Sequence, residues 1–314
     1  MQFLDFEKPL EDLQKQLDKL NEMAESSHTD MSAAIREIEA AIEKTRASIY
    51  QNLSPWQRVQ LSRHPERPYT QFYIESIFEN FTELFGDRQV KDDKAIVAGM
   101  AELNGLPVMV MGHQQGTNTK TRQLRNFGMA NPEGYRKALR LMKIAEKFNR
   151  PIITFIDTPG AYPGLEAEER GQAEAIARNL FEMVNMKVPV ICIIIGEGAS
   201  GGALGIGIGD KVVMLENTWY TVISPESCSS ILWRTWNNKE LAAEQLKLTS
   251  EDMKGFELVD DVLKEPIGGA HARPDEMAAI VKEYLVKTIA NLQSLDAETR
   301  IQQRIDKFSK IITH

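Results

Sequence analysis

Glycine recurs at 196, 198, 201, 202, 205, 207 and 209, directly after the apolar, β-branched run 190–195. A buried strand has no need of such a run. Glycine admits positive φ and lets a ligand or another backbone come close, at a cost in chain entropy. A strand that passes through a glycine-rich turn into a short helix aims unpaired backbone N–H groups, and the positive helix end, at one point. That point suits a phosphate, or an oxyanion that develops during a reaction. A second glycine-bearing loop, DTPGAYPG at 157–164, also follows an apolar strand and precedes a helix. Two successive strand ends thus present glycine loops on one sheet edge, where open α/β folds build their sites.

GEGASG (Gly196, Gly198, Gly201) matches a dinucleotide fingerprint, with Glu216 twenty residues on. That fold needs a full crossover helix before the next strand. Only 202–210 is available, and Gly205, Gly207 and Gly209 interrupt it. A Walker A loop is absent as well. Ser200 has no evident His/Asp partnership, so serine hydrolysis is disfavoured. Asp157 reads as a capping or structural carboxylate. Glu166, Glu168 and Glu169 read as a solvated acidic first turn. Cys192 and Cys228 are too few for a four-cysteine zinc site, and Cys192 reads as an inert core thiol. No metal site is expected. Lys120, Arg122, Arg125, Arg136, Lys137, Arg140 and Lys143 form a cationic segment. The later ones read as a solvated helix face; Lys120, Arg122 and Arg125, in a loop beside glycines, suit either that or an anionic ligand.

The elements that must position these loops are legible in order. Leucines at 10, 13, 17 and 20 and isoleucines at 35, 38, 42 and 49 mark a helical hairpin over residues 1–50, with a polar turn at ESSHTDM. Residues 53–73, with HPERPYT, suit an irregular connection, and helix propensity returns over 70–85. Asn104-Gly105 between two apolar runs predicts a β-hairpin. Residues 112–131 read as irregular, and Pro132-Glu133 starts a helix. From 151 onward strand, loop and helix alternate, which predicts α/β architecture with parallel pairing. Two helices, at about 275–292 and 296–312, close the chain.

At 314 residues, 26% charged and 42% hydrophobic, the chain has ample core for a globular protein. A net charge of −8 argues against specific nucleic-acid binding. No signal peptide or membrane-spanning run is evident, so a cytoplasmic setting is expected.

RNFGMANPEGYRKALRLM, FIDTPGAYPG, EERGQAEAIARNL, IGEGASGGALGIGIGDKV, ISPESC-SILW and EPIGGAH, in that order, resemble the α-subunit family of bacterial acetyl-CoA carboxylase carboxyltransferases. The resemblance implies the crotonase (ClpP/enoyl-CoA hydratase-like) fold, a spiral of β-β-α units with an N-terminal helical hairpin and C-terminal helices. It implies a hairpin at 1–50, a carboxyltransferase core at 51–270 and C-terminal helices at 271–314. The implied activity transfers CO₂ from carboxybiotin to acetyl-CoA, giving malonyl-CoA for fatty-acid synthesis. Biotin would ride on a separate carrier protein, since this chain has no Met-Lys-Met tripeptide. Implied partners are a homologous β subunit with a zinc ribbon (an α2β2 heterotetramer), the biotin carboxyl carrier protein and biotin carboxylase.

By the same resemblance, Gly201 and Gly202 supply backbone N–H groups to the biotin oxyanion. Gly160, Ala161, Gly164 and Gly198 shape the biotin pocket, and Lys120, Arg122 and Arg125 meet CoA phosphates or the partner. One departure stands out: Gln115 and Thr117 occupy positions where basic residues are expected in relatives. Two other readings compete. A single-chain hydratase or hydrolase needs its own acid/base pair, for which Glu197 and Glu226 are candidates against a solvated or capping role. A non-catalytic scaffold needs only the hairpin for assembly.

Overall fold

The computed structural model describes residues 2–27 and 30–311. The middle of the expected turn at ESSHTDM and the last residue of the expected final helix lie outside them. Helices α1 (Lys8–Ser27) and α2 (Ser32–Gln51) form an antiparallel pair, and few of their side chains besides Leu10 and Ile42 are fully buried. The amino terminus is fastened to the body by polar contacts. His64 Nε2 donates to the Gln2 carbonyl at 2.8 Å, and its Nδ1 accepts from the Glu66 N–H. Glu7 accepts from the Leu4 N–H and the Tyr50 hydroxyl.

Next come α3 (Pro55–Ser62), α4 (Thr70–Ile77), β1 (Glu79–Glu83) and the hairpin β2 (Ile96–Leu103) and β3 (Leu106–His113). Its turn residues Asn104 and Gly105 both have positive φ, at 49° and 78°, as a two-residue hairpin turn requires. Helices α5 (Thr119–Leu124) and α6 (Pro132–Lys147) lead to β4 (Ile152–Thr158), α7 (Leu165–Glu169), α8 (Gln172–Val184) and β5 (Val190–Ala199). Then follow α9 (Ser200–Leu204), β6 (Lys211–Leu215), β7 (Trp219–Thr221), α10 (Pro225–Trp233), α11 (Lys239–Gln245), α12 (Ser250–Gly255) and β8 (Asp261–Leu263). Helices α13 (Pro274–Gln293) and α14 (Ala297–Lys310) end the fold.

The strands form one sheet in the order β1-β2-β3-β4-β5-β6-β8. The first two pairings are antiparallel and the rest parallel. β5 changes partner along its length: 191–194 pair with β6, and 197–199 pair with β7. The end of β5 thus stays paired, with β7, up to the turn into α9. One face of the sheet packs on α6 and α8 through Met111, Leu141, Ile152 and Ile194; the other packs on α4 and α13 through Phe155, Ile193, Ile74 and Leu285. Central strands buried on both faces explain the continuous apolar runs.

Four expectations are corrected. The connection at 53–73 contains a real helix, α3, because Ser54 caps it and Pro55 starts it. The helix expected over 70–85 stops at Ile77. Phe78 is extended and β1 pairs with β2, so tertiary pairing overrides local propensity. Lys120, Arg122 and Arg125 sit on or at the end of α5, which Asn118 caps by accepting from the Thr121 N–H. Of the α6 cations expected on a solvated face, Arg136, Lys137, Arg140 and Lys143, only Lys143 is exposed. Lys137 is fully buried and donates to Asp92 Oδ1 and the Asp93 carbonyl, and Arg136 pairs with Asp87. Among the described residues no helix is long and apolar enough to cross a membrane.

α14 is fastened by a buried arginine. Arg304 donates to the carbonyls of Met183, Val184 and Met186 at the end of α8, and to Asp210 at 2.7 Å. Asp210 in turn accepts from the Val190 N–H that begins β5. Arg304→Ala strands a buried carboxylate and three carbonyls, so it is expected to cost about 3–5 kcal/mol. Chemical denaturation followed by circular dichroism checks this; a change under about 1 kcal/mol would show that α14 is not anchored there.

Candidate active site

β5 runs to Ala199, through Gly196 and Gly198, rather than ending at Ile195. Glycine is required there by what presses on the strand. A Cβ at Gly196 would lie 2.3 Å from Asp157 Oδ1, and one at Gly198 would lie 2.9 Å from the Tyr220 ring. Gly198 is therefore buried in the ladder with β7. Ser200 then takes a left-handed φ of 57° at the strand-to-helix turn. This is the geometry of a G-x-S-x-G elbow (Gly198, Ser200, Gly202), in which the residue after the serine supplies an oxyanion-hole N–H. That residue is Gly201. Gly201 and Gly202 occupy the first turn of α9, where N–H groups lack intrahelical acceptors, and Ala199 at the cap offers no side-chain acceptor.

The facing loop, 159–164, is held in contact with this turn. A Cβ at Gly202 would come within 2.5 Å of the Gly160 carbonyl carbon and the Ala161 nitrogen. Gly160 has φ +146°, and its N–H donates to the Thr158 hydroxyl at 3.1 Å. The Tyr162 N–H donates to the Ala130 carbonyl, and Gln172 Nε2 bridges the carbonyls of Ala130 and Tyr162. Gly164 is folded under the Tyr162 ring, 2.3 Å from where its own Cβ would sit. Gly201 has more room: its Cβ would touch only Ile176, at 3.7 Å.

Asp157 joins the two loops from below. Its Oδ1 accepts from the Glu197 N–H at 2.9 Å and from Gln115 Nε2 at 3.1 Å. Burial pushes its carboxyl up to about 7, with the Glu197 charge adding to the effect and Arg67 opposing it. The sequence reading of Asp157 as structural holds. Gln115, the departure from the expected basic residue, has a defined use here as a donor to that carboxyl.

The groups needed for ordinary acid/base catalysis are otherwise engaged. Glu197 is buried, not solvated: Arg63 Nε donates to it at 2.6 Å, while Arg63 Nη1 meets Glu226 at 2.5 Å. The same guanidinium lies 5.3 Å from the Trp219 ring centroid. His113 lies beneath Gly202 and is pushed down to about 3 by burial, so it is neutral at physiological pH. Burial pushes the Cys192 thiol up to about 12, which leaves it inert. Arg63, and the contact that Gln115 makes, escaped sequence reasoning because each meets its partners only in space.

Of the cationic candidates, Arg122 Nε donates to the Gly116 carbonyl and Arg125 Nη1 to the Lys94 carbonyl, while Lys120 is exposed. Arg122 lies on the Asp157 side. Tyr69 is raised from its ordinary value by burial and then by the Asp157 charge, with Arg122 opposing. Beyond Gly201 and Ser200 opens a cavity of about 410 Å³, walled largely by hydrocarbon from Leu204, Ile208, Val222 and Phe308.

Known proteins resemble this chain in sequence and in fold. A family model described as acetyl co-enzyme A carboxylase carboxyltransferase-like matches residues 3–312. The chain is 60% identical over 312 residues to an acetyl-coenzyme A carboxylase carboxyl transferase subunit alpha of Flavobacterium johnsoniae, covering 99% of this chain and 98% of that one. It is 57% identical to the same-named subunit of Chlorobaculum parvum, covering 98% and 96%. Solved structures share the fold. They include the beta subunit of Pseudomonas aeruginosa geranyl-CoA carboxylase, with a TM-score of 0.56 at 16% identity, covering 78% of this chain and 45% of that one. Another is a Pseudomonas malonate decarboxylase hetero-tetramer in complex with coenzyme A, at 0.57 and 15%, covering 72% and 90%. A third is the transcarboxylase 12S core, at 0.54 and 20%, covering 68% and 41%.

A carboxyl raised to about 7 carries a pH signature. Between the unfolded value, near 4, and about 7, the folded state holds a proton that the unfolded chain has released. Asp157 therefore favours folding below about pH 4 and loses that contribution as pH rises to about 7. Relative to Asp157→Asn, which keeps an accepting oxygen, the natural protein is expected to lose stability across that window and run parallel to the variant above it. Denaturation midpoints of both proteins from pH 4 to 8 check this; parallel curves throughout would place the carboxyl's pKa at an ordinary value.

Proposed function

The chain belongs to the acetyl-CoA carboxylase carboxyltransferase α-subunit family, and from that premise we propose how its glycine turn takes part in the family's reaction. It is a transferase subunit that moves a carboxyl group onto acetyl-CoA, giving malonyl-CoA. In our reading the group donor is carboxybiotin on a separate carrier protein; when bound, it supplies the carboxyl group and a basic ureido oxygen able to take a proton from the acetyl methyl. The cavity beside Gly201 suits a fused, largely apolar ring in both size and lining.

The observation that carries the proposal is the left-handed Ser200, with the uncapped N–H groups that follow it. Gly201 and Gly202 hold these donors toward the oxygen that gains negative charge, and the sheet fixes them before any ligand arrives. Gly160, Ala161 and Gly164 belong to the loop that backs Gly202 and do not line the cavity beside Gly201. Gly198 lets Tyr220 pack beneath the turn, and Arg122, Arg125 and Lys120 draw the CoA phosphates or the partner. Asp157 and the Arg63 pair position the turn and exchange no proton with substrate. A single-chain hydratase is disfavoured because Glu197 and Glu226 are both held by Arg63.

The site is completed, we propose, by a homologous β subunit bearing the zinc ribbon, in an α2β2 heterotetramer supplied by the carrier protein and biotin carboxylase in the cytoplasm. The face that receives it is α10 and the turn after it, where Ile231, Leu232 and Trp236 are 70%, 63% and 68% exposed. This face adjoins the site, since Glu226 on α10 meets Arg63. The hairpin 1–50 and helices 271–314 flank the core 51–270 as supports.

Malonyl-CoA formation from acetyl-CoA and carboxybiotin, with this chain alone and with the β subunit added, tests the reading. Activity is expected in the mixture. Gly201→Val, which meets little inside the protein but bulks over the donor, is expected to lower it by about 100-fold, the scale of one oxyanion donor put out of reach, while assembly persists. Gly202 is the wrong position to vary, because any Cβ there strikes the facing backbone. Full activity in an assembled Gly201→Val complex would move the chemistry elsewhere. Ile231→Asp with Leu232→Asp is expected to abolish co-elution with the β subunit; intact co-elution would put the interface on another face.

A further inference from the structure

A cleft of about 710 Å³ lies between α6, α8 and the loop before β2. Five arginines line it, Arg88, Arg136, Arg140, Arg170 and Arg178, against two acids, Asp87 and Glu174. The chain as a whole carries −8, so this concentration of cations runs against the composition.

Three of the five have carboxylate partners: Arg136 with Asp87, Arg170 with Glu133, and Arg178 with Glu182. Arg88 and Arg140 have none among the described residues. Both instead donate to the same backbone oxygen, the Phe85 carbonyl, each at 3.1 Å, and Arg140 Nε also reaches the Gly86 carbonyl. Two guanidiniums thus converge on one atom. Burial, and then the Arg88 charge, push Arg140 below its ordinary value, with the Asp87 and Asp92 charges opposing. Like charges so close repel, and an anion seated between them relieves that repulsion. Nothing but arginine supplies the cations here, and its planar fork matches phosphate oxygens in pairs.

We propose that this cleft is a binding site for a small polyphosphate anion, held chiefly by Arg88 and Arg140 and flanked by Arg178. A small ligand fits better than a nucleic-acid backbone: the site is a bounded recess, and the acidic remainder of the protein repels a long polyanion. The cleft is linked to the glycine turn. Asn179 lines it and donates to the Gly205 and Tyr135 carbonyls, while the Tyr135 hydroxyl donates to the Gly202 carbonyl at 3.3 Å. The proposal does not depend on the carboxyl-transfer reading, because its test uses no turnover.

Isothermal titration of the full chain with inorganic pyrophosphate, at constant ionic strength, tests it. Saturable binding of one anion per chain is expected. Arg88→Gln with Arg178→Gln, both exposed positions, is expected to weaken it about tenfold or more. Glu174→Gln, which removes a repelling acid, is expected to tighten it, an effect that damage to the fold would not produce. Unchanged thermal midpoints confirm that the variants are folded. No saturable binding, or affinity indifferent to both changes, overturns the site; a DNA duplex that displaces pyrophosphate overturns the small-ligand assignment.

Discussion

Asp157 stands between the ends of two parallel strands, and the arrangement above it depends on that carboxyl. It accepts the Glu197 N–H from β5 and the Gln115 amide from the loop after β3. Parallel strands share no tight turn that would fix their ends relative to each other. A buried carboxyl with donors from two neighbouring segments provides that fixation. Gly196 follows from this demand, because any side chain there would occupy the space of Asp157 Oδ1.

From this clamp the strand ends diverge into two glycine loops that touch at Gly202 and Gly160–Ala161. The contact is backbone against backbone, so its geometry is set by the chain path and not by rotamers. Donors of that kind do not reorient as charge develops, which is the property that electrostatic catalysis needs. The side chains nearby follow the same logic. Arg63 holds Glu197 and Glu226, His113 is buried and neutral, and Cys192 is an inert thiol. The protein chemistry is concentrated in amides.

Two groups of cationic residues are set apart by their partners. Lys137, Arg136 and Arg304 are structural, each matched to carboxylates or carbonyls inside the fold. Among the described residues Arg88 and Arg140 hydrogen-bond only to carbonyls. The difference matters because a paired buried charge is part of the fold, whereas converging unpaired cations leave a field that extends into solvent.

Much of this was legible from residue order. The hairpin at Asn104-Gly105, the alternating strands and helices, the core thiol at Cys192 and the two glycine loops on one edge follow from local rules: turn chemistry, hydrophobic period and the needs of parallel strands. The motifs also identified the family. The ending of β5, the existence of α3 and the arrest of the helix at Ile77 did not follow. In each, a cap or a partner strand outweighed propensity. Burial of Lys137, the Arg63 pair and the Gln115 contact were equally hidden, because each joins residues far apart in the chain. Local order determines which segments become strands, turns and helices, since those preferences arise from neighbouring residues. Only the tertiary structure decides which charges are paired, which glycines are pressed by other atoms and where unpaired N–H groups converge, since these depend on distances the linear chain does not contain.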